Sequence, residues 1–191
     1  MKISTIQIPP NLKITQEQFA KLAAVNRDAR LELTATGELV IMPPTGGNTG
    51  RRNIDICFQL EAWNRKAKLG IVFDSSTAFR LPNRANKSPD AAWIEQTKWD
   101  SLSAQEKDSF PPLCPDFLIE LRSKTDSLQS LQEKMEEYLD NGLLLGWLID
   151  PQNKQVLIYR SQEPFEILAN PDTLSGEEVL PGFCLNLKNI F

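Results

Sequence analysis

A chain of 191 residues with a net charge of −4, 41% apolar and 24% charged, has the composition of one globular domain able to bury its own core. It contains no histidine, which excludes Ser-His-Asp and Cys-His nucleophile pairs, Cys/His zinc fingers and any nuclease with a histidine base. No apolar run approaches the ~18 residues of a membrane span and no charged-then-apolar leader opens the chain, so a cytoplasmic protein with no membrane partner is expected.

Any chemistry therefore falls to Asp, Glu, Lys, Arg and Tyr, with an oxygen-liking metal as the natural helper. Cys57, Cys114 and Cys184 are scattered without metal-ligand spacing and read as free thiols. Charge is uneven: residues 51–98 hold nine bases against five acids, a local +4. Such a stretch fits either a surface that meets phosphates or a solvated helix face and loop.

In chain order, Thr15 with Gln18 forms a capping box that opens a helix to about Asn26, with Phe19 and Leu22 inward. "RLELTATGELVIM" alternates around a glycine turn and reads as a hairpin. "PPTGGNTG" reads as a loop. The helix expected over roughly 50–68 has Ile54, Cys57, Phe58, Glu61 and Arg65 on one face and ends at Gly70. "IVFDSSTAFRL" reads as two short strands or one bulged strand, with "DAAWI" as its partner across the polar loop "PNRANKSP". A helical or irregular insert leads to "PPLCP", whose prolines bar helix and central strand alike. The strand "DFLIELR" follows, then a helix capped by Asp126 or Ser127 and closed by Gly142. "LLGWLID" and "QVLIYR" form two more strands joined at "PQNK", and the end reads as edge strands with a last turn. Helices and strands mixed in this order predict an α/β fold with a mixed sheet flanked by helices.

Two segments set Pro-Asp before an apolar run, "SPDAAWI" and "CPDFLIEL". Alternation along the second sends Phe117, Ile119 and Leu121 to one face, and Asp116, Leu118, Glu120 and Arg122 to the other. If the two strands are neighbours, Asp90 and Glu120 converge, and a hard cation joining them would relieve their repulsion. Arg122 offers the alternative of a structural ion pair with Glu120. On the next helix Leu128, Leu131, Met135, Tyr138 and Leu139 make the apolar stripe. Lys134 borders that stripe, either snorkelling to water or reaching back over the sheet end. Asp116 and Asp150 read as a strand start and a turn residue, and Asp74 as a strand-end contact near the site. The four tryptophans read as core.

An Asp at one strand, Glu120-Leu-Arg122 on a second and Lys134 on the following helix resemble the PD-(D/E)XK nuclease superfamily. More specifically, "SPDAAWI", "CPDFLIELRS", "LQEKMEEYLDNG" and "GWLIDPQNKQVLIYR" resemble the Uma-two family of restriction-endonuclease-like proteins, over nearly the whole chain. The resemblance implies one restriction-endonuclease-like domain over 1–191, with a helix and hairpin extension at 1–45 and the nuclease-like core at 46–191. It also implies a homodimer and phosphodiester hydrolysis, with DNA as partner and magnesium as cofactor, manganese as its substitute. Asp90 and Glu120 would be metal ligands, with the Leu121 carbonyl a third. The superfamily lysine falls at Arg122, which holds its proton and cannot serve as a base, so Lys134 stands in, with Arg122 in support. The superfamily's further acid from the preceding helix would be Glu61, although a pair with Arg65 at i+4 explains that residue as well. Two alternatives follow: a nuclease fold without catalysis that binds nucleic acid or a partner, and a metal-independent hydrolase using Asp90 and Glu120 as acid and base.

Overall fold

The structure, a computed structural model, describes residues 12–191, so the first part of the expected N-terminal extension lies outside the described residues. The Thr15 side chain accepts from the Gln18 N–H while the Gln18 side chain accepts from the Thr15 N–H, closing the capping box of α1 (Gln16–Val25). The hairpin follows as β1 (Arg30–Leu33) and β2 (Leu39–Met42). Phe19, Leu31 and Leu33 form a small core of their own.

The glycine-rich "PPTGGNTG" is not all loop: its second half is already the first turn of α2 (Gly47–Ala67). Nor does α2 bury the expected face. Ile54 and Phe58 are 67% and 68% exposed, whereas Ile56, Leu60 and Asn64, one helical row at i, i+4 and i+8, are buried. Asn64 fixes that choice, because its Nδ2 donates to the Gly70 carbonyl at 2.8 Å and its Oδ1 accepts from Trp93 Nε1 at 3.0 Å.

After β3 (Gly70–Asp74) and β4 (Phe79–Arg80), the segment read as a polar loop supplies β5 (Asn86–Lys87). This short strand pairs with both β1 and β4, so the N-terminal hairpin joins a four-stranded sheet, β2-β1-β5-β4. Next come β6 (Ala91–Glu95), the short helices α3 (Gln96–Asp100) and α4 (Ala104–Lys107), and β7 (Phe117–Leu121). Then α5 (Leu128–Asp140), β8 (Leu145–Asp150), β9 (Gln155–Arg160) and β10 (Glu166–Ala169) complete the main sheet. Its order is β10-β9-β8-β7-β6-β3, and only β7–β8 is parallel, with α5 as the crossover that a parallel pair requires.

Alternation along β7 sorts the core into two layers. Phe117, Ile119 and Leu121 pack with Trp147, Ile149 and α2's Ile56 and Leu60. Leu118 packs on the other face with Leu148 and α5's Met135 and Tyr138. Glu120 shares the face of Leu118, so it points at α5. That helix lies close because β8 offers Gly146 beneath it: a Cβ there would stand 2.5 Å from Met135 Cε. The chain's end supplies the two remaining strands, outside the main sheet. β11 (Thr173–Ser175) and β12 (Cys184–Asn186) form a separate ribbon whose Leu174 and Leu185, with Phe183, seal the α2 side of the core.

Candidate active site

The sheet end where β6 begins and β7 ends gathers three of the expected residues. Asp90 precedes β6, held by its own N–H on the Ile119 carbonyl at 3.0 Å. Its Oδ2 accepts from the Leu121 N–H at 2.8 Å and its Oδ1 from Asn53 Nδ2 at 3.0 Å, so β7 and α2 both aim the carboxylate. Glu120 is buried, and its Oε1 lies 2.8 Å from Lys134 Nζ and accepts from the Tyr138 hydroxyl at 3.2 Å. Lys134 thus reaches back over the sheet. Tyr138, one turn further along α5, braces the same carboxylate.

Two expected residues are paired away from the carboxylates, Arg122 in the wall of the same cleft and Glu61 outside it. Arg122 does not pair with Glu120: its guanidinium is 2.9 Å from Asp150 and its Nε donates to the Asp126 carbonyl at 3.2 Å. Asp150, read from sequence as a turn residue, is a fully buried partner that also accepts from the Gln152 N–H and Asn153 Nδ2. Glu61 is tied to Arg65 at 2.8 Å on the outer surface of α2 and does not line the cleft. Asp116 is buried at the opposite end of β7, bound to Lys98 Nζ and the Glu95 N–H. Asp74 holds Ser76 in a local turn.

The hairpin supplies what the sequence left unassigned. Glu32 is buried, with its Oε1 2.9 Å from Lys134 Nζ and 2.9 Å from the Ser88 N–H that it accepts. Lys134 Nζ also lies 3.4 Å from the Ser88 carbonyl. A single ammonium therefore sits between two carboxylates from β1 and β7. The charged residues Arg30 and Glu32, spaced i and i+2 in "RLEL", mark a polar face of the strand; nothing in the sequence names their partner.

Burial sets the electrostatics. It pushes Glu120 up to about 7, with Lys134 pulling it down and Asp90 and Glu32 pushing it further up. Asp90 is also raised by burial, against the pull of the Leu121 N–H and of Lys134. Burial works to lower Lys134, but Glu120 and Glu32 overcome it and hold its proton above the usual lysine range. For Glu32, burial raises and Lys134 and Lys87 lower; the charges win, keeping it below the ordinary carboxylate value.

Asp90, Glu120 and Lys134 line a cleft of about 630 Å³ bounded by the 43–49 segment, the 122–126 loop and the start of α5. Among the described residues no group of three or more Asp, Glu, Cys or His side chains is placed to hold a metal ion. The donor set is two carboxylates. The Leu121 carbonyl, the expected third donor, belongs to a residue that lies past the last β6–β7 pair, Ala91↔Ile119, and whose N–H binds Asp90. Magnesium takes one or two carboxylates and fills its other positions with water and substrate phosphate, so these all-oxygen donors fit it.

A mixed sheet carrying an acid at one strand mouth, a second acid on the adjacent strand and a lysine reaching over from the crossover helix defines a restriction-endonuclease-like fold. The fold agrees with the crystal structure of a "putative nuclease belonging to DUF820" from Anabaena variabilis: TM-score 0.72 at 20% identity, over 86% of this chain and 90% of that one. The Uma2 family model, described as "Putative restriction endonuclease", matches residues 16–188, and the chain belongs to that family. No curated protein matches it. Among the described residues no helix is long and apolar enough to cross a membrane.

Proposed function

We propose that this protein is a metal-dependent endonuclease hydrolysing phosphodiester bonds of DNA at Asp90, Glu120 and Lys134. The observation that carries the reading is Lys134 Nζ standing 2.8 Å from Glu120, at the sheet end where Leu121 N–H fixes Asp90. Asp90, Glu120 and the Leu121 carbonyl would hold magnesium, or manganese in its place, which supplies an acidified water and neutralises phosphate charge. The chain's own part is orientation and charge. Asn53 and Leu121 N–H fix the Asp90 carboxylate, and Tyr138 fixes Glu120. Lys134 keeps its proton, so it acts as a donor to a phosphate oxygen or to the attacking water and not as a base. Arg122, committed to Asp150, supports the 122–126 wall of the cleft.

A second reading, a nuclease fold that binds nucleic acid without cutting it, is favoured by one fact: arginine stands at the superfamily's lysine position and is spent on Asp150. Calorimetry of magnesium and manganese binding separates the two, run on wild type, Asp90→Ala and Glu120→Ala with plasmid nicking on the same samples. The endonuclease reading expects binding and nicking that are both lost in the variants. Metal binding with no nicking of any DNA would favour the second reading, and no metal binding even with DNA present would sink the first.

A further inference from the structure

We propose that Arg30 and Arg52, together with the first turn of α2, form a subsite for a backbone phosphate of nucleic acid beside the carboxylate pair. The choice of ligand source rests on the nuclease reading; the site itself rests on two cations in the cleft that form no salt bridge, Arg30 acting on Asp90 only at longer range. Lys134 is balanced by Glu120 and Glu32, and Arg122 by Asp150. Arg30 and Arg52 line the same cleft, yet among the described residues neither forms a salt bridge or a side-chain hydrogen bond. The Nε atoms of both are buried and unpartnered. A buried donor without an acceptor is costly and rare in a native fold, and here two occur in one cleft on two different elements.

The backbone adds donors of the same sign. α2 runs for 21 residues, and its cap, Gly46, makes no side-chain hydrogen bond to the first turn, which leaves the leading N–H groups free. No atom lies within 4 Å of where a Cβ of Gly46 or Gly47 would stand, so a ligand can approach the backbone itself. Both arginines are placed relative to the carboxylates by their neighbours. Arg52 precedes Asn53, which binds Asp90; Arg30 shares a strand face with Glu32, which binds Lys134. Guanidinium forks and free helix N–H groups are the donors that hold phosphate oxygens, and a helix start favours negative charge. Nearby Asp90 and Glu120 would repel a free dianion more than the single charge of a diester, so a strand's backbone phosphate is the better match.

The test is binding without cleavage: anisotropy of a fluorescein-labelled DNA duplex in EDTA over a salt series, for wild type, Arg30→Gln, Arg52→Gln and the exposed control Lys21→Gln. Each arginine variant is expected to weaken binding about tenfold at 0.1 M salt. Each should also flatten the log K against log salt slope by about 0.9, with the control unchanged. Inorganic phosphate at millimolar concentration is expected to compete only weakly; competition equal to that of DNA would reassign the site to a free anion and overturn the proposal. Folded variants with wild-type affinity and slope, or a wild type that binds no DNA, would overturn it too. Should Arg30→Gln unfold the hairpin, Arg52→Gln carries the test. Plasmid nicking separates this proposal from the nuclease reading: arginine-dependent binding with no nicking leaves the subsite standing, and nicking with arginine-independent binding leaves the nuclease alone.

Discussion

Glu120 holds a proton in the folded chain at a pH where the unfolded chain has lost it. Its unfolded value is near 4.5 and burial lifts the folded one to about 7, so its contribution to stability falls as pH rises between those values. In metal-free buffer the Tm of wild type is therefore expected to decline from pH 5 to pH 8 more steeply than that of Glu120→Gln. Equal slopes would place Glu120 in a wetter setting. Glu32 works with the opposite sign: its stabilisation is present above its unfolded value of 4.5 and is lost on acidification below it. Because Glu32 orients Lys134 without joining the carboxylate pair, Glu32→Gln should keep magnesium binding while lowering nicking about 10- to 100-fold. Loss of metal binding in that variant would make Glu32 a ligand instead. Replacing Lys134 by Met, which removes the donor charge beside Glu120, should cost about 10²- to 10³-fold in nicking rate with a smaller effect on DNA affinity.

Strands and helices tolerate change according to what they face. A Cβ on Gly70 would lie 2.1 Å from the Ile94 carbonyl oxygen and 2.5 Å from the Trp93 ring, both held in β6. Gly70→Ala is expected to cost about 1–3 kcal/mol by urea denaturation, as overpacking does. Gly146→Ala meets only the tips of Met135 and Leu143, which can turn aside, and should cost less. The same distinction explains what sequence could show. β7's alternation put Glu120 with Leu118 on one face and Phe117, Ile119 and Leu121 on the other, and α5's stripe put Lys134 at its border. For α2 two apolar rows compete, Ile54 with Phe58 and Ile56 with Leu60, and only the sheet and Asn64 decide between them. β5 escaped notice because two polar residues carry no periodicity. Alternation names a face but not the partner across it: it leaves Arg122 open to pairing with Glu120, and in the structure its partner is Asp150. Glu32 was missed for the same reason.

The packing that sets these carboxylates also quiets the thiols. Burial pushes Cys57 up to about 11 and Cys114 up to about 12, while Cys184 is exposed. A thiol-reactive chromophore at pH 8 should therefore modify Cys184 quickly and the other two only when denaturant is added. Rapid reaction of Cys114 would mean that the layer between α5 and the sheet opens readily. The contact between Lys134 and Glu32 spans 102 residues of chain. Closing so long a loop is entropically dear, so this contact is expected to form after the more local pairings of β6, β7 and β8. Refolding should accordingly bury tryptophan before the ammonium finds its second carboxylate. A chain still emerging from the ribosome would carry every acid of the site and none of its geometry, unable to act until that long-range contact closes.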